Sequence, residues 1–199
     1  MIEEARERGA REIGLCAFCR KPASRSYEEE VKRTKKLMEA NNANAFYDFA
    51  GMYCDGIKGM HQNYEKANEL FLRAGELGCA AGFYDLGNSY NFGRGVDIDK
   101  KKAKHFYELA AMGGDVDARY NLGMIEGKAG NSLRAKKHLI LSANAGHKGS
   151  LDWMKNGYKY GIVTKDDYAN ALRAYQQLHD EMKSKDRDRA VARGVARGL

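Results

Sequence analysis

Proline is almost missing from this chain: Pro22 stands alone among 199 residues, and tryptophan also occurs once. Such scarcity excludes a polyproline helix, a collagen repeat or a Pro-rich linker. Cysteine is sparse as well, at four residues, and no N-x-S/T sequon occurs. That usage argues against a disulfide-stapled secreted scaffold and for a reducing intracellular compartment, cytoplasmic or nuclear. No apolar run approaches the roughly 20 residues a membrane helix needs, so no membrane partner is expected. The opening MIEEARERGAREIG is charged throughout and contains no secretory apolar core. What is plentiful is glycine (22) and tyrosine (12), in a chain that is 43% hydrophobic and 31% charged. That is enough apolar material to rule out wholesale disorder.

The net charge of +7 is unevenly placed. Residues 1–40 hold 10 basic and 8 acidic side chains, residues 41–182 hold 18 and 17, and residues 183–199 hold 6 and 2. The body is therefore nearly neutral, and over half of the excess sits in the last 17 residues. That basic tail reads as a solvated helix extension. It offers no interleaved aromatics for a stacking platform, which argues against nucleic acid as a partner.

Internal repeats organise the body. Asp85-Leu86-Gly87-Asn88-Ser89-Tyr90-Asn91-Phe92-Gly93 lies 37 residues after Asp48-Phe49-Ala50-Gly51-Met52-Tyr53-Cys54-Asp55-Gly56, and both end in Tyr-x-x-Gly. Leu122-Gly123 opens a third copy, and Tyr158-Lys159-Tyr160-Gly161 closes a fourth. Each copy is followed by a second pattern, beginning Lys66-Ala67, Lys102-Ala103 and Arg134-Ala135 and ending at Gly78, Gly114 and Gly146. Within it Ala67, Leu70, Phe71 and Ala74 recur at i, i+3, i+4 and i+7, as do Ala103, Phe106, Tyr107 and Ala110. This is a narrow apolar stripe of period 3.6 whose alanines let neighbouring helices approach closely. The first helix of each unit carries Ala45, Phe49, Met52 and Tyr53, and in unit four Ser150, Met154, Gly157 and Tyr158. With no alternating β-branched runs, the expected fold is an all-α solenoid.

These residues resemble the Sel1-like repeat family, a relative of the TPR repeats. Unit two matches its pattern most fully, from Leu86-Gly87 through Tyr90, Gly93-Arg94-Gly95-Val96, Lys102-Ala103 and Ala110-Ala111 to Gly114. Unit three is shortened and has Glu126 where the pattern has Tyr, and unit four lacks the Gly-x-Gly. The resemblance covers residues 44–182, about four repeats. It implies a right-handed superhelix of helix pairs, first helices lining a concave surface, and a non-catalytic adaptor or scaffold that binds a protein there. Asp48, Asp85, Asn88 and Asn121 are the candidate partner-binding residues on those first helices.

Ahead of the repeats, Cys16-Ala17-Phe18-Cys19-Arg20 is the one motif with metal-site spacing. Two thiolates separated by two residues can share one Zn²⁺, but a structural zinc needs four ligands and this pair supplies two. The segment looks like the last ligand pair of a RING finger, and residues 1–25 like the end of one. A RING finger joined to Sel1-like repeats is a recognisable architecture. The resemblance implies a RING-type ubiquitin ligase, whose finger would recruit a ubiquitin-conjugating enzyme and whose repeats would hold the substrate. The expectation is that the chain begins inside that finger, the alternative being a finger that has decayed. Residues 26–43 then read as a capping or connecting helix: Ser26 and Glu29 form a capping-box signature, and Val31, Leu37 and Met38 call for burial.

No other chemistry stands out. No two histidines sit i, i+4 with a carboxylate between, no G-x-S-x-G elbow occurs, and Gly93-Arg94-Gly95 lacks the Lys-Ser/Thr of a phosphate loop. No catalytic residue and no cofactor are expected. Cys54 and Cys79 read as small core residues, and His105 and His138 as packing or surface residues.

Overall fold

The computed structural model describes residues 27–56 and 60–197, with side chains up to residue 185. Among the described residues every regular element is an α-helix. The chain divides into two compact units, one ending at Cys79 and one beginning at Ala80.

The first unit contains α1 (Tyr27–Glu39), α2 (Ala43–Asp55) and α3 (Tyr64–Glu76). Asn42 and Asn63 cap the second and third of these by accepting the N–H of Ala45 and Lys66, the usual remedy for orphan donors in a first turn. Ala45, Phe49, Ala50 and Met52 of α2 are buried with Ala67, Phe71 and Ala74 of α3. Helix α1 packs on α2 through buried Thr34, with Val31 and Met38 half-buried. Leu37, expected to need burial, is 42% exposed instead. It falls beside the packed Val31–Thr34–Met38 row.

The second unit runs α4 (Ala80–Phe92), α5 (Lys100–Met112), α6 (Val116–Lys128), α7 (Ser132–Asn144), α8 (Lys148–Lys159) and α9 (Lys165–Arg197). Pairing is mainly with neighbours: α4 with α5, α6 with α7 and α8 with α9, each second helix also meets the next first helix, and α9 packs back on α7 as well. Stacking by nearest neighbours is what makes such arrays quasi-one-dimensional. The turns from a second helix to the next first helix are made the same way. Gly114 and Gly146 take φ of +93°, and the next residue donates back to the helix, Asp115 N–H to Ala110 and His147 N–H to Ser142. That double closure is the Schellman motif, and glycine adopts its left-handed residue without a Cβ clash. The donor following the glycine is at once the cap of the next helix: Asp115 accepts the Ala118 N–H, and the His147 ring accepts the Ser150 N–H. One residue thus ends one helix and starts another, which fixes the angle between them.

Small residues set the spacing. Ala103, Ala110 and Ala118 are fully buried and share a core with Tyr107, Ala111 and Leu122. We expect Ala110→Leu to lower stability by about 2 kcal/mol, because close-packed helices cannot accept three more carbons without moving apart. Thermal unfolding followed by circular dichroism measures it, and an unchanged midpoint would contradict the assignment of this stripe. Farther along, Thr164 caps α9 by accepting the Asp167 N–H. Leu151, Met154, Val163 and Ala171 close the last core, with Trp153 and Tyr168 against it. Tyr158, aligned with the stripe residues Tyr53 and Tyr90, is 45% exposed and stacks on Tyr168.

Candidate partner-binding surface

Two of the four residues singled out for partner binding, Asn88 and Asn121, meet at one hydroxyl, and a third, Asp85, is tied to Asn88. Tyr107 is buried at the α4–α5 contact and donates its O–H to Asn88 Oδ1 at 2.8 Å. The Asn88 amide in turn reaches Asp85 Oδ1 at 3.4 Å, and the Asn121 side chain also hydrogen-bonds the Tyr107 oxygen. Burial, reinforced by the neighbouring Tyr84, pushes the Tyr107 phenol up to about 12. It therefore stays a neutral donor that locks Asn88 in place. Beside it, Tyr84 is raised chiefly by burial and further by Asp117, Asp85 and Asp115. Asp115 is itself raised by burial, against the Ala118 N–H that it accepts. Asp117 is exposed and lies 3.4 Å from the His147 imidazole, whose ring packs on Tyr120. The face is thus polar, partly ordered and rich in carboxylates, and it is anchored from below by a buried tyrosine. Asp48, the counterpart of Asp85 in the first unit, is exposed on α2.

Cys16 and Cys19 lie outside the described residues. Among the described residues no group of three or more His, Cys, Asp or Glu converges as a metal site. Cys54 and Cys79, expected in the core, are only half-buried.

Two features were not anticipated. The first is a buried charge. Glu126 is 3% exposed, receives the Lys104 ammonium at 2.6 Å and the Asn131 amide at 2.7 Å, and is held below the ordinary glutamate value of 4.5 by those two hydrogen bonds. Near it His138 is lowered by burial, and its Nδ1 is buried with no hydrogen-bond partner. Aligning the repeats explains the pair. Glu126 and His138 occupy the positions of Tyr90 and Phe106, whose rings stack 5.6 Å apart at 11° in the preceding repeat. One aromatic contact has given way to two ionisable side chains, with Glu126 turned to Lys104 and Asn131, at two positions that change together. That joint departure is visible in sequence once both helices are aligned.

The second feature is a groove between α6, α7 and α8, lined by Met124, Gly127, Leu139, Trp153 and Ile162, with Lys128 on its rim. Ile162 is 57% exposed there. Periodicity marks Leu139 as core but gives no sign that the space beside it is unfilled.

Comparison with known proteins follows the same division. The Sel1 repeat family matches residues 47–79, 84–115 and 116–147. A crystal structure of a Sel1 repeat protein from Oxalobacter formigenes superposes with a TM-score of 0.68 at 22% identity, covering 78% of this chain and 66% of that one. A protective antigen of uropathogenic Escherichia coli strains displaying an SLR fold gives 0.64 at 27% identity, over 76% of this chain and 33% of the antigen. Among curated proteins, an uncharacterized protein of Neisseria meningitidis serogroup B is 30% identical over 96 residues, 48% of this chain and 20% of that protein. An ERAD-associated E3 ubiquitin-protein ligase component of Arabidopsis thaliana, HRD3B, is 29% identical over 99 residues, 49% of this chain and 15% of that protein. The chain spans a fifth or less of these curated relatives.

Proposed function

Because the chain belongs to the Sel1 repeat family, whose repeats occupy residues 47–147, we propose that it is a non-catalytic scaffold that holds a protein partner on its repeats. The observation that carries this reading is the repeat array itself. Its side chains are spent on helix contacts and caps, and its first helices present an ordered polar face. On that face Asp85, Asn88 and Asn121, fixed through Tyr107, meet the partner, and Asp48 does so in the first unit. Photo-crosslinking residues placed singly at Asp48, Asp85, Asn88 and Asn121 in the full chain, expressed in its own cells, test it. The expected result is a shared protein adduct at several of these sites. Adducts arising only at other surface positions would refute the assignment of this face.

A second reading is supported by the C-x2-C spacing of Cys16 and Cys19 and by the likeness to the plant ubiquitin-ligase component. In it the chain is the substrate-holding portion of a RING-type ligase, within a reducing compartment. Cys16 and Cys19 then supply two of the four thiolate or imidazole ligands of a zinc ion. Metal analysis of the full-length protein isolated from its own cells, beside its Cys16→Ser/Cys19→Ser variant, decides it. Zinc present in the parent and lost in the double variant is the expected result, and equal metal content in both removes the reading.

A further inference from the structure

We propose that the groove between α6, α7 and α8 takes a bulky apolar side chain from an acidic segment of a protein partner. The proposal rests on the scaffold reading above and adds the partner's chemistry.

The reason the groove is open lies in two coordinated replacements. In the second repeat, Tyr107 spans the gap between second and first helix and bonds Asn88. At the equivalent positions of the third repeat stand Leu139 and Met124. Leucine is shorter and has no hydroxyl, so nothing bridges the gap. Gly127 adds no side chain where the second repeat has Asn91, and a Cβ built there would meet only the Ala135 methyl at 3.7 Å. The connection from α6 to α7 is also short, Ala129 to Asn131, where the second repeat has the longer Gly93–Asp99 loop. The result is a site walled by an indole, a thioether and aliphatic groups, which suits a leucine- or phenylalanine-sized side chain.

Charge around the groove selects the segment that carries the side chain. Lys128 stands exposed on the rim. Helix α7 carries Arg134, Lys136 and Lys137 and no acidic residue at all. Lys136 is engaged by Asp167 at 2.7 Å and Arg134 interacts with Glu126, whereas Lys128 lines the groove beside the α6–α7 connection. The first turn of α7 has no acidic residue and no side-chain cap, because Asn131 turns its amide to Glu126. Glu126 offsets Arg134 and the positive end of α7, which leaves Lys128 as the cation that lines the groove. A partner with carboxylates flanking its apolar anchor is complementary, and a lysine-rich one is repelled.

Trp153 is the only tryptophan of the chain and lines the groove, so its fluorescence reports occupancy directly. The full chain is titrated with acetyl-Glu-Asp-Glu-Leu-Phe-Glu-Asp-amide, with its Lys/Arg counterpart, and with the acidic peptide whose Leu-Phe is replaced by Ala-Ala. The acidic Leu-Phe peptide is expected to shift Trp153 emission saturably, about tenfold more tightly than either control, and to weaken as salt is added. Gly127→Gln keeps a thermal midpoint at or above that of the parent, since glycine is a poor helix former, and loses the saturable shift. Lys128→Glu weakens the acidic peptide and strengthens the basic one. The proposal is overturned by tighter binding of the basic peptide, by equal binding of the Ala-Ala peptide, or by no saturable shift with any of the three. In that last case, persistent crosslinks at Asp85 and Asn121 would leave the scaffold reading standing without this groove.

Discussion

Replacing Lys104 by methionine lowers the unfolding free energy by about 2 kcal/mol at pH 7, less than for a fully buried ion pair because the Lys104 side chain is 35% exposed. Glu126 keeps the Asn131 amide but loses the cation that offsets its burial, while the methionine retains much of the packing of the lysine stem. The pH dependence identifies the cause. In the parent, Glu126 is depressed below 4.5, so its contribution is present above that value and is lost as pH falls through the folded-state value. In the variant the buried carboxylate no longer has its cation, so it takes up a proton at higher pH and the penalty fades on acidification. Urea unfolding at pH 7 and pH 4 therefore gives a large difference between parent and variant at pH 7 and a small one at pH 4. Equal losses at both pH values would assign the effect to packing of the lysine stem. His138 acts in the same direction at higher pH: a histidine lowered by burial stabilises the fold above 6.5 and withdraws that contribution as pH falls below it.

Gly123→Val is the second large effect, a loss of about 3 kcal/mol. A Cβ at Gly123 would sit 2.6 Å from Leu139 Cγ and 3.3 Å from the Ala135 carbonyl oxygen. Leu139 can turn toward the groove that it lines, but the Ala135 carbonyl belongs to the α7 backbone and cannot, so the valine methyls force α6 and α7 apart. Gly127→Ala, one helical turn on, is the internal control. Its new methyl meets only the Ala135 side chain at 3.7 Å, and the variant gains about 0.5–1 kcal/mol from helix propensity. Unfolding midpoints that move the same way for both variants would show that the close approach of α6 to α7 is not what Gly123 provides.

The alanine stripes and glycine punctuation made the helix pairs legible, because a 3.6-residue period and a left-handed turn are local requirements that leave a local record. Ala103, Ala110, Gly78, Gly114 and Gly146 do in the structure what their spacing implies. The polar face was legible only as a guess, since side chains exposed on a first helix carry no periodic constraint. What periodicity could not show is that Asn88 and Asn121 meet at the hydroxyl of Tyr107, with Asp85 held through the Asn88 amide. Leu37 shows the opposite error: hydrophobic character alone placed it inside, and the angle of α1 leaves it at the surface.

Sequence by itself determined the repeat, its register and the glycine turns that end the second helices, all of which depend on residues fewer than about eight apart along one chain segment. Only the tertiary structure decided where charge and space would be left over. Lys104 reaches Glu126 across 22 positions, and Leu139 leaves open beside Trp153 what Tyr107 closes beside Asn121. Those outcomes depend on how far a side chain extends into the gap between two packed helices, a distance that exists only once the helices have docked.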